Sequence, residues 1–533
     1  MRLFPMNACQ ARARLVQAGS VLAAAALIAG CGSTYRSVVT PIPSSGPSPQ
    51  PTSYVAVVSA PSPSTPGVAT IIDYSGDSVL AFAPIGPGPS AFTIDAIGGN
   101  GYTINSDGTL TNFQISPQLQ EKQITYTTLP PNAEPVNLFS PSSGLWAADL
   151  QGNDADIFSG GPEAFRLAVP VAQTPVLIAG AGSGGQRLYA VSQQIAGTPS
   201  GVECNVTPSA EPAGQADGIL TSSNTVSSKL PLGKCPVYAV ESSDGRRLYV
   251  LNRGDDTITV INSQDDTLDN QCPSGCKNQA GATYYTHPLL PLSQAALALP
   301  GVVPPSNCNI VTTPTCGMPA TAGPVYAEFN TALSEIVVAD YVGGTISVID
   351  VSLDEYGNDS ATFGTTYTVP VGQTATPYPA SVTVLADGSR AYTANQGDCT
   401  PDCATSPNGT VSVVELGSHT LEKTINVTGI PRTVVSTQNS EYGKVYAASP
   451  NSPFLTVIQT GGTSPDTVDT TILVEGNIVD VRVTTQNGNP GNSNYFSRIP
   501  GWGQPCNQPP TTANPTPAPT GTQTLLEACQ ELP

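Results

Sequence analysis

The stretch RRLYVLNRGDDTITVINSQDDTL, residues 246–268, decides the fold of this chain. Two segments with alternating apolar side chains, RLYVLN and TITVIN, flank the polar turn RGDD. Alternation with a period of two, interrupted by Gly, Asp or Asn, is typical of a β-hairpin. The preceding PVYAVESSDGR adds a further strand and turn in front of that hairpin. This stretch therefore predicts at least three consecutive antiparallel strands.

The same unit recurs along the chain, and internal repeats indicate a repeat architecture. Further clear copies are SEIVVADYVGGTISVIDVS, SRAYTANQGD with NGTVSVVELGSHTLEKTINV, and GKVYAASPNSPFLTVIQTG. Four weaker copies occupy the N-terminal half, and RLYAVSQQ is expected to pair with GILTSSN after an insertion. The eight units begin at Thr70, Tyr102, Leu145, Arg187, Arg246, Ser334, Ser389 and Gly443.

LYVLNRGDDTITVIN and AYTANQ with NGTVSVVE resemble the YVTN-type β-propeller repeat, and SSDGRR and LADGSR resemble its "SPDG" turn. The resemblance implies an all-β protein, a propeller of four-stranded blades around a central channel. Such a sheet cannot bury both faces alone, whereas radially packed blades can. Relatives often have seven blades. We count eight units, and seven remains open in case one hairpin is an insertion.

The segment NIVDVRVTTQ, residues 477–486, alternates apolar side chains but has no hairpin after it. We expect it to close the ring by completing the first blade with the strands near Thr70. YVAVVSA, residues 54–60, competes for that place.

The first residues have the pattern of a secretory signal peptide: Arg2, Arg12 and Arg14, then the apolar run VLAAAALIAG, then Cys31. The small residues before Cys31 resemble a bacterial lipobox, whose cysteine becomes acylated. The run is shorter than the roughly 20 residues of a spanning helix. We therefore predict a signal peptide at 1–30 and a lipid anchor at Cys31. A disordered Ser/Pro-rich tether at 31–52, the propeller at 53–487 and a Pro/Thr-rich tail at 488–533 would follow.

The chain of 533 residues is acidic, with 19 Lys+Arg against 39 Asp+Glu. Without the three signal arginines the balance is 16 to 39, or −23. Such a surface repels nucleic-acid phosphates and anionic lipids. We therefore expect no nucleic-acid partner, and contact with a membrane only through the lipid. We also expect a monomer.

Apart from Cys9 and Cys31, ten of the 12 cysteines fall into sequence-near pairs. An even number in an exported protein indicates disulfides. CPSGC and CTPDC have spacings that would also suit zinc, but zinc usually needs four ligands and the chain has two histidines. We expect neighbouring cysteines to pair: Cys204 with Cys235, Cys272 with Cys276, Cys308 with Cys316, Cys399 with Cys403, and Cys506 with Cys529.

Propellers resembling this one include lactonase-like hydrolases, for which a cluster of His, Arg and acid residues is expected at the channel mouth. His419 lies in a hairpin turn and is expected to be solvated, and His287 has no neighbouring carboxylate in the sequence. Arg253, Arg390 and Arg432 are the cations nearest to blade turns, and we assign none of them to catalysis. Arg253-Gly254-Asp255 spells RGD, which turn chemistry explains better than recognition.

Two acidic stretches invite comparison with calcium sites. QGNDADIF contains Asn153, Asp154 and Asp156, and SQDDTLDN contains Asp265, Asp266 and Asp269. Neither matches a defined calcium loop, so we interpret both as solvated acidic turns. No haem, metal or other cofactor motif is visible, and we predict no cofactor.

These observations favour an envelope-anchored lipoprotein, facing the periplasm or the cell exterior, whose propeller is a non-catalytic binding or scaffolding module. Its protein or glycan ligand would meet the insertions at 193–218 and 264–321, because loops on a rigid scaffold usually carry binding. The alternative is a lactonase-like hydrolase acting at the mouth of the channel.

Overall fold

The strands of the protein follow the sequence repeats. The computed structural model describes residues 53–484, except 63, 142–143, 160–163, 182–186, 196, 199–203, 205–210, 270–288, 293–321, 355–356, 375, 399–407 and 438–442. Within these residues, 33 strands form eight antiparallel sheets, and the 3₁₀-helix Glu121–Gln123 is the single helical turn. No helix in the described part of the chain is long and apolar enough to cross a membrane.

Each sheet is one blade, written here from its first to its fourth strand. Blade 1 consists of β33 (Asn477–Val483), β1 (Tyr54–Ala60), β2 (Pro66–Asp73) and β3 (Ser78–Pro87). Blade 2 consists of β4 (Ala91–Ile94), β5 (Asn100–Ile104), β6 (Thr109–Gln114) and β7 (Thr125–Thr128). Blade 3 consists of β8 (Pro135–Phe139), β9 (Leu145–Asp149), β10 (Asp154–Ser159) and β11 (Ala164–Pro170). Blade 4 consists of β12 (Gln173–Ala181), β13 (Arg187–Gln194), β14 (Ala213–Leu220) and β15 (Thr225–Lys234).

The second half is built in the same way. Blade 5 consists of β16 (Pro236–Glu241), β17 (Arg247–Asn252), β18 (Thr257–Asn262) and an outer strand in two pieces, β19 (Thr267–Leu268) and β20 (Leu289–Pro291). Blade 6 consists of β21 (Pro324–Asn330), β22 (Glu335–Asp340), β23 (Thr345–Asp350) and β24 (Thr366–Pro370). Blade 7 consists of β25 (Pro379–Val384), β26 (Arg390–Asn395), β27 (Thr410–Glu415) and β28 (Thr420–Asn426). Blade 8 consists of β29 (Thr433–Ser436), β30 (Lys444–Ala448), β31 (Phe454–Gln459) and β32 (Thr467–Leu473).

The eight repeat units all become blades, which confirms the propeller and decides its blade number. First strands of consecutive blades contact one another around the ring, with β29 reaching β33 and β33 reaching β4. The ring therefore closes through the C-terminal strand, as expected. The direct partner of β33 differs from the expectation: it pairs with β1, from Val55↔Val483 to Ala60↔Asn477, and β1 in turn pairs with β2 near Thr70. The segments 477–486 and 54–60, which competed for this place, therefore both contribute a strand to blade 1.

Antiparallel order gives the ring two different faces. Turns between second and third strands lie with the blade-to-blade linkers on one side, which we call the insertion face. Turns between first and second strands lie on the other side, the tail face. The described chain starts and ends at the tail face, where the N–H of Thr484 donates to the Tyr54 carbonyl at 3.0 Å.

Apolar residues pack between neighbouring blades and form the core. The largest fully buried side chains include one tyrosine from each of four second strands: Tyr189, Tyr249, Tyr392 and Tyr446. Burying each large apolar side chain stabilises the fold by about 1.5–3 kcal/mol. The tyrosine of the repeat is therefore a residue of the blade interface.

The asparagine of the repeat also has a structural role. In blade 5, Asn252 donates from Nδ2 to Thr257 Oγ1 at 3.1 Å and to Thr259 Oγ1 at 2.8 Å. The N–H of Gly233, near the end of β15 in blade 4, donates to the same Thr259 at 3.4 Å. A Cβ on Gly233 would lie 2.6 Å from Asn252 Nδ2, so the position needs glycine. We call this arrangement the polar staple.

Three other blades repeat the polar staple with small changes. The members are Asn105, Thr109 and Thr111 in blade 2, Asn395, Thr410 and Ser412 in blade 7, and Asp340, Thr345 and Ser347 in blade 6. The N–H of Gly86, near the end of β3, donates to Thr111, and the N–H of Gly372, in the linker after β24, donates to Ser412. The buried hydroxyl groups of these staples are thereby paired.

Candidate functional site at the channel and the insertion face

Charged side chains from the first strands meet near the axis of the ring. Arg482 Nη2 donates to Asp480 Oδ2 at 2.8 Å, and both residues are buried on β33. Burial raises the pKa of Asp480, although Arg482 and the nearby Arg432 act in the opposite direction. This pair neutralises itself inside the protein.

Two tyrosines from blades 5 and 6 lie in the same central region. The ring centroids of Tyr238 and Tyr326 are 4.5 Å apart. Burial raises the pKa of Tyr238 well above its ordinary value, and the charge of Arg482 lowers it. Blades 1 and 5 stand opposite each other in a ring of eight, so side chains from both sides of the channel approach one another. Tyr238, Tyr326 and Arg482 are all buried.

Glu328 lies two residues further along β21, towards the tail face. Its pKa is raised to about 8, because burial outweighs hydrogen bonds from the Val384 N–H and the Thr383 hydroxyl. Perturbed groups of this kind also occur in structural networks, so the pKa alone does not identify a catalytic acid.

The three arginines singled out from the sequence do not meet. Arg253 is half-buried in the turn after β17, which confirms that RGD forms a hairpin turn. Burial lowers its pKa, against the charges of Tyr341, Glu211 and Asp256. Arg390 is bound to Asp466 of the next blade, and Arg432 lies near Asp480. His287 is outside the described residues.

His419 is less exposed than the sequence suggested. Its ring stacks on Tyr367 with centroids 3.7 Å apart, and Nε2 lies 4.0 Å from Glu335 Oε1 of blade 6. Burial lowers the pKa of His419. The expectation of a solvated turn histidine is therefore wrong, because the turn packs against the preceding blade.

The interpretation of the acidic turns as solvated is also wrong for most of these residues, since Asp266 binds a neighbouring blade and Asp156 and Asp269 are buried. Arg187 Nε of blade 4 lies 3.3 Å from Asp266 Oδ2 of blade 5, and the Tyr189 hydroxyl donates to Asp266 Oδ1 at 3.1 Å. Asp269 is buried and pairs with Arg247, 3.2 Å between Oδ1 and Nη2. Asp265 alone of these is exposed, as expected for a solvated turn.

The contact of a basic residue and a tyrosine with an aspartate of the next blade is repeated at two further blade interfaces. Arg390 and Tyr392 of blade 7 bind Asp466 of blade 8, and Lys444 and Tyr446 of blade 8 bind Asp77 of blade 1. Each of these aspartates has a positive φ near 55°, the left-handed conformation that ends the outer turn. The signal in the sequence was a basic residue two positions before the repeat tyrosine. The sequence could not show that its partner lay 76 residues or more away in the chain.

A disulfide joins Cys204 to Cys235 at the insertion face, with a Cα–Cα distance of 5.6 Å. This pairing agrees with the neighbour pairing predicted from the sequence. Cys31 and the remaining candidates lie outside the described residues: Cys272, Cys276, Cys308, Cys316, Cys399, Cys403, Cys506 and Cys529. The insertions in blades 4 and 7 and in the linker from blade 5 to blade 6 all have their described ends at the insertion face. The described chain begins and ends at the tail face, which also carries the loop of residues 351–365 between β23 and β24.

No group of three or more His, Cys, Asp or Glu residues in the described part of the chain is already arranged as a metal site.

The comparisons with known proteins bear on the fold. No family model and no curated protein matches the chain. Solved structures that are similar include AztD from Citrobacter koseri, 11% identical with a TM-score of 0.51 over 81% of this chain and 97% of that chain. Apo AztD from the same organism is 12% identical with a TM-score of 0.50 over the same shares. A putative 6-phosphogluconolactonase from Bacteroides fragilis is 14% identical with a TM-score of 0.46, over 82% of this chain and 99% of that one. At these identities the likeness extends to the propeller fold and to no activity.

Proposed function

We propose that this chain is an exported lipoprotein, acylated at Cys31, whose propeller is a non-catalytic binding or scaffolding module in the cell envelope. The observation that supports this proposal best is that the insertions of blades 4 and 7 and of the linker from blade 5 to blade 6 have their described ends on the face opposite Ser53, the first described residue. At about 3.1 Å per residue, the 22 residues of the Ser/Pro-rich segment (31–52) could hold the ring up to about 70 Å from a membrane.

The insertion face is suited to binding because rigid strands carry its loops. The buried Cys204–Cys235 bond fixes one insertion to the start of blade 5. Loops held on a rigid scaffold lose less conformational entropy when they bind a partner. We infer that this face meets a protein or glycan ligand.

The pairing of the central charges favours binding over hydrolysis. Asp480 is occupied by Arg482, and Glu328 accepts two hydrogen bonds from blade 7. A lactonase-like reaction would need an acid, a base and an oxyanion donor around a space for substrate. The central carboxyl groups of Asp480 and Glu328 are instead paired with groups of the protein, which supports binding over hydrolysis.

Lipidation is tested by labelling cells with a palmitate analogue. Wild-type protein should carry the label and sediment with membranes, whereas Cys31→Ala should carry none. Label on Cys31→Ala, or none on wild type, would contradict the anchor.

Binding is tested by photo-crosslinking from two exposed positions on opposite faces. A crosslinking residue at Asp255, on the insertion face, should give discrete adducts in envelope extracts, and one at Ser418, on the tail face, should not. Equal adducts from both faces would contradict the assignment. Lactone hydrolysis that disappears in Arg482→Gln would instead establish the hydrolase.

A further inference from the structure

We propose that blade 3 binds a calcium ion at Asp149, Asp154 and Asp156, on the insertion face. The strand pairs Asp154↔Asp149 and Asp156↔Ala147 correspond to Thr257↔Asn252 and Thr259↔Val250 of blade 5. Three aspartates therefore occupy the positions of the neutral Asn–Thr–Thr polar staple. This site goes beyond the proposed function and does not depend on it.

The backbone already orients part of this cluster. Asp149 Oδ1 accepts N–H groups from Glu134 at 2.8 Å, Gln151 at 3.2 Å and Gly152 at 3.0 Å, which leaves Oδ2 directed elsewhere. A Cβ on Gly152 would lie 2.5 Å from Asp149 Oδ2 and 3.1 Å from Asp154 Oδ2. These two oxygens are therefore at most 5.6 Å apart. One ion with oxygen ligands at 2.3–2.6 Å can bridge such a gap after small side-chain rotations.

The second observation is a buried carboxylate oxygen without a partner. Asp156 is 1% exposed, and its Oδ2 has no hydrogen bond. In other blades the corresponding hydroxyl receives an N–H from a residue at or just beyond the end of the preceding outer strand, such as Gly233 or Thr428. The corresponding residue before blade 3 is Pro130, which has no N–H.

Blade 4 shows what happens when the donor is present. Asp217 occupies the position of Asp156, and it accepts the Ala172 N–H at 2.7 Å and Gln215 Nε2 at 2.8 Å. A buried carboxylate at this position can thus be satisfied within the protein. In blade 3 the proline has no N–H to donate to Asp156, and two further carboxylates lie nearby instead.

Electrostatics favour a cation at this cluster. Burial raises the pKa of Asp156 to about 7, with Asp149 and Asp154 adding to the rise. Burial and then Asp149 raise the pKa of Asp154 as well. A hard divalent cation with a preference for carboxylate oxygens would remove both the repulsion and the unpaired oxygen. Rotation of the side chains would bring the carboxylates onto one ion, and half-buried Asp154 has the most freedom to move.

The test compares thermal unfolding in calcium chloride, magnesium chloride and EDTA at equal ionic strength. Calcium at 100 times its Kd should raise the Tm of the wild type by roughly 3 °C, and calorimetric titration should give one site. Asp156→Asn should lose this response. Asp217→Asn, the matched change in blade 4, should keep it.

Stability in EDTA distinguishes a lost site from a damaged fold. Asp156→Asn removes a buried charge, so at pH 8 it should melt no lower than the wild type in EDTA. Absence of a calcium response in the wild type, or its persistence in Asp156→Asn, overturns the proposal. So does an equal loss in Asp217→Asn.

Discussion

Replacing Asp340 with asparagine should stabilise the protein, and only above about pH 4. Asp340 is buried in the polar staple of blade 6, where Thr345 and Ser347 hydroxyls donate to its Oδ2 at 3.1 and 2.6 Å. Burial raises its pKa from 3.8 to about 7, and the charge of Asp256 contributes. Asn252 and Asn395 occupy the same position in blades 5 and 7, so the amide fits the site.

The magnitude follows from the difference between the two pKa values. A rise from 3.8 to about 7 corresponds to about 4 kcal/mol of lost stability once the group is ionised. Below about pH 4 the carboxyl is protonated in both the folded and the unfolded chain, so the variant gains nothing. Between about pH 4 and 7 only the unfolded chain releases the proton. The free energy of unfolding of the wild type therefore decreases relative to that of the variant as the pH rises. The entropy of unfolding is about 2.1 cal/mol/K per residue. For the roughly 430 residues of the ring, this energy therefore corresponds to a rise in Tm of about 4 °C for the variant.

Differential scanning calorimetry at pH 4 and pH 8 checks this expectation. Asn395→Asp is the matched reverse change, and it should cost stability at pH 8 but little at pH 4. A gain for Asp340→Asn that is equal at both pH values would refute the electrostatic reasoning, because packing alone would then explain it.

Ending the chain at Gly476 removes the first strand of blade 1 and should abolish cooperative melting. Ending it after residue 484 keeps that strand and should leave the Tm unchanged. Equal Tm values for the two truncated chains would disprove closure of the ring by β33. The Cys204→Ser/Cys235→Ser double variant should lose about 4 kcal/mol, because the bond closes a loop of 31 residues, and unchanged denaturation under non-reducing conditions would contradict this. His419→Phe keeps a ring on Tyr367 but cannot be protonated. Because burial lowers the pKa of His419, the Tm advantage of this variant should grow as pH falls below 6.5 and be absent at pH 8.

The strand order was predictable because each hairpin is encoded within about 20 residues. RLYVLN and TITVIN pair as written, from Arg247↔Asn262 to Asn252↔Thr257. The contacts between blades were not predictable in the same way. From the sequence of its own hairpin, Asp266 is expected to be a solvated turn residue. Arg187 and Tyr189 contact it only because blades 4 and 5 pack side by side in the ring. Propensity and alternation are local properties, whereas the charge balance of an interface depends on residues far apart in the chain.

Three aspartates show how the positions of the polar staple can acquire different chemistry. Asp217 and Asp156 occupy the same third-strand position, and Asp340 occupies the end of the second strand. Asp217 accepts the Ala172 N–H, and Asp340 accepts two hydroxyls at its Oδ2. Asp156 faces a linker that has Pro130 at the donor position, and its Oδ2 has neither kind of donor. Because burial of an unpaired carboxylate is costly, the loss of one linker N–H is what turns a structural position into a candidate ion site.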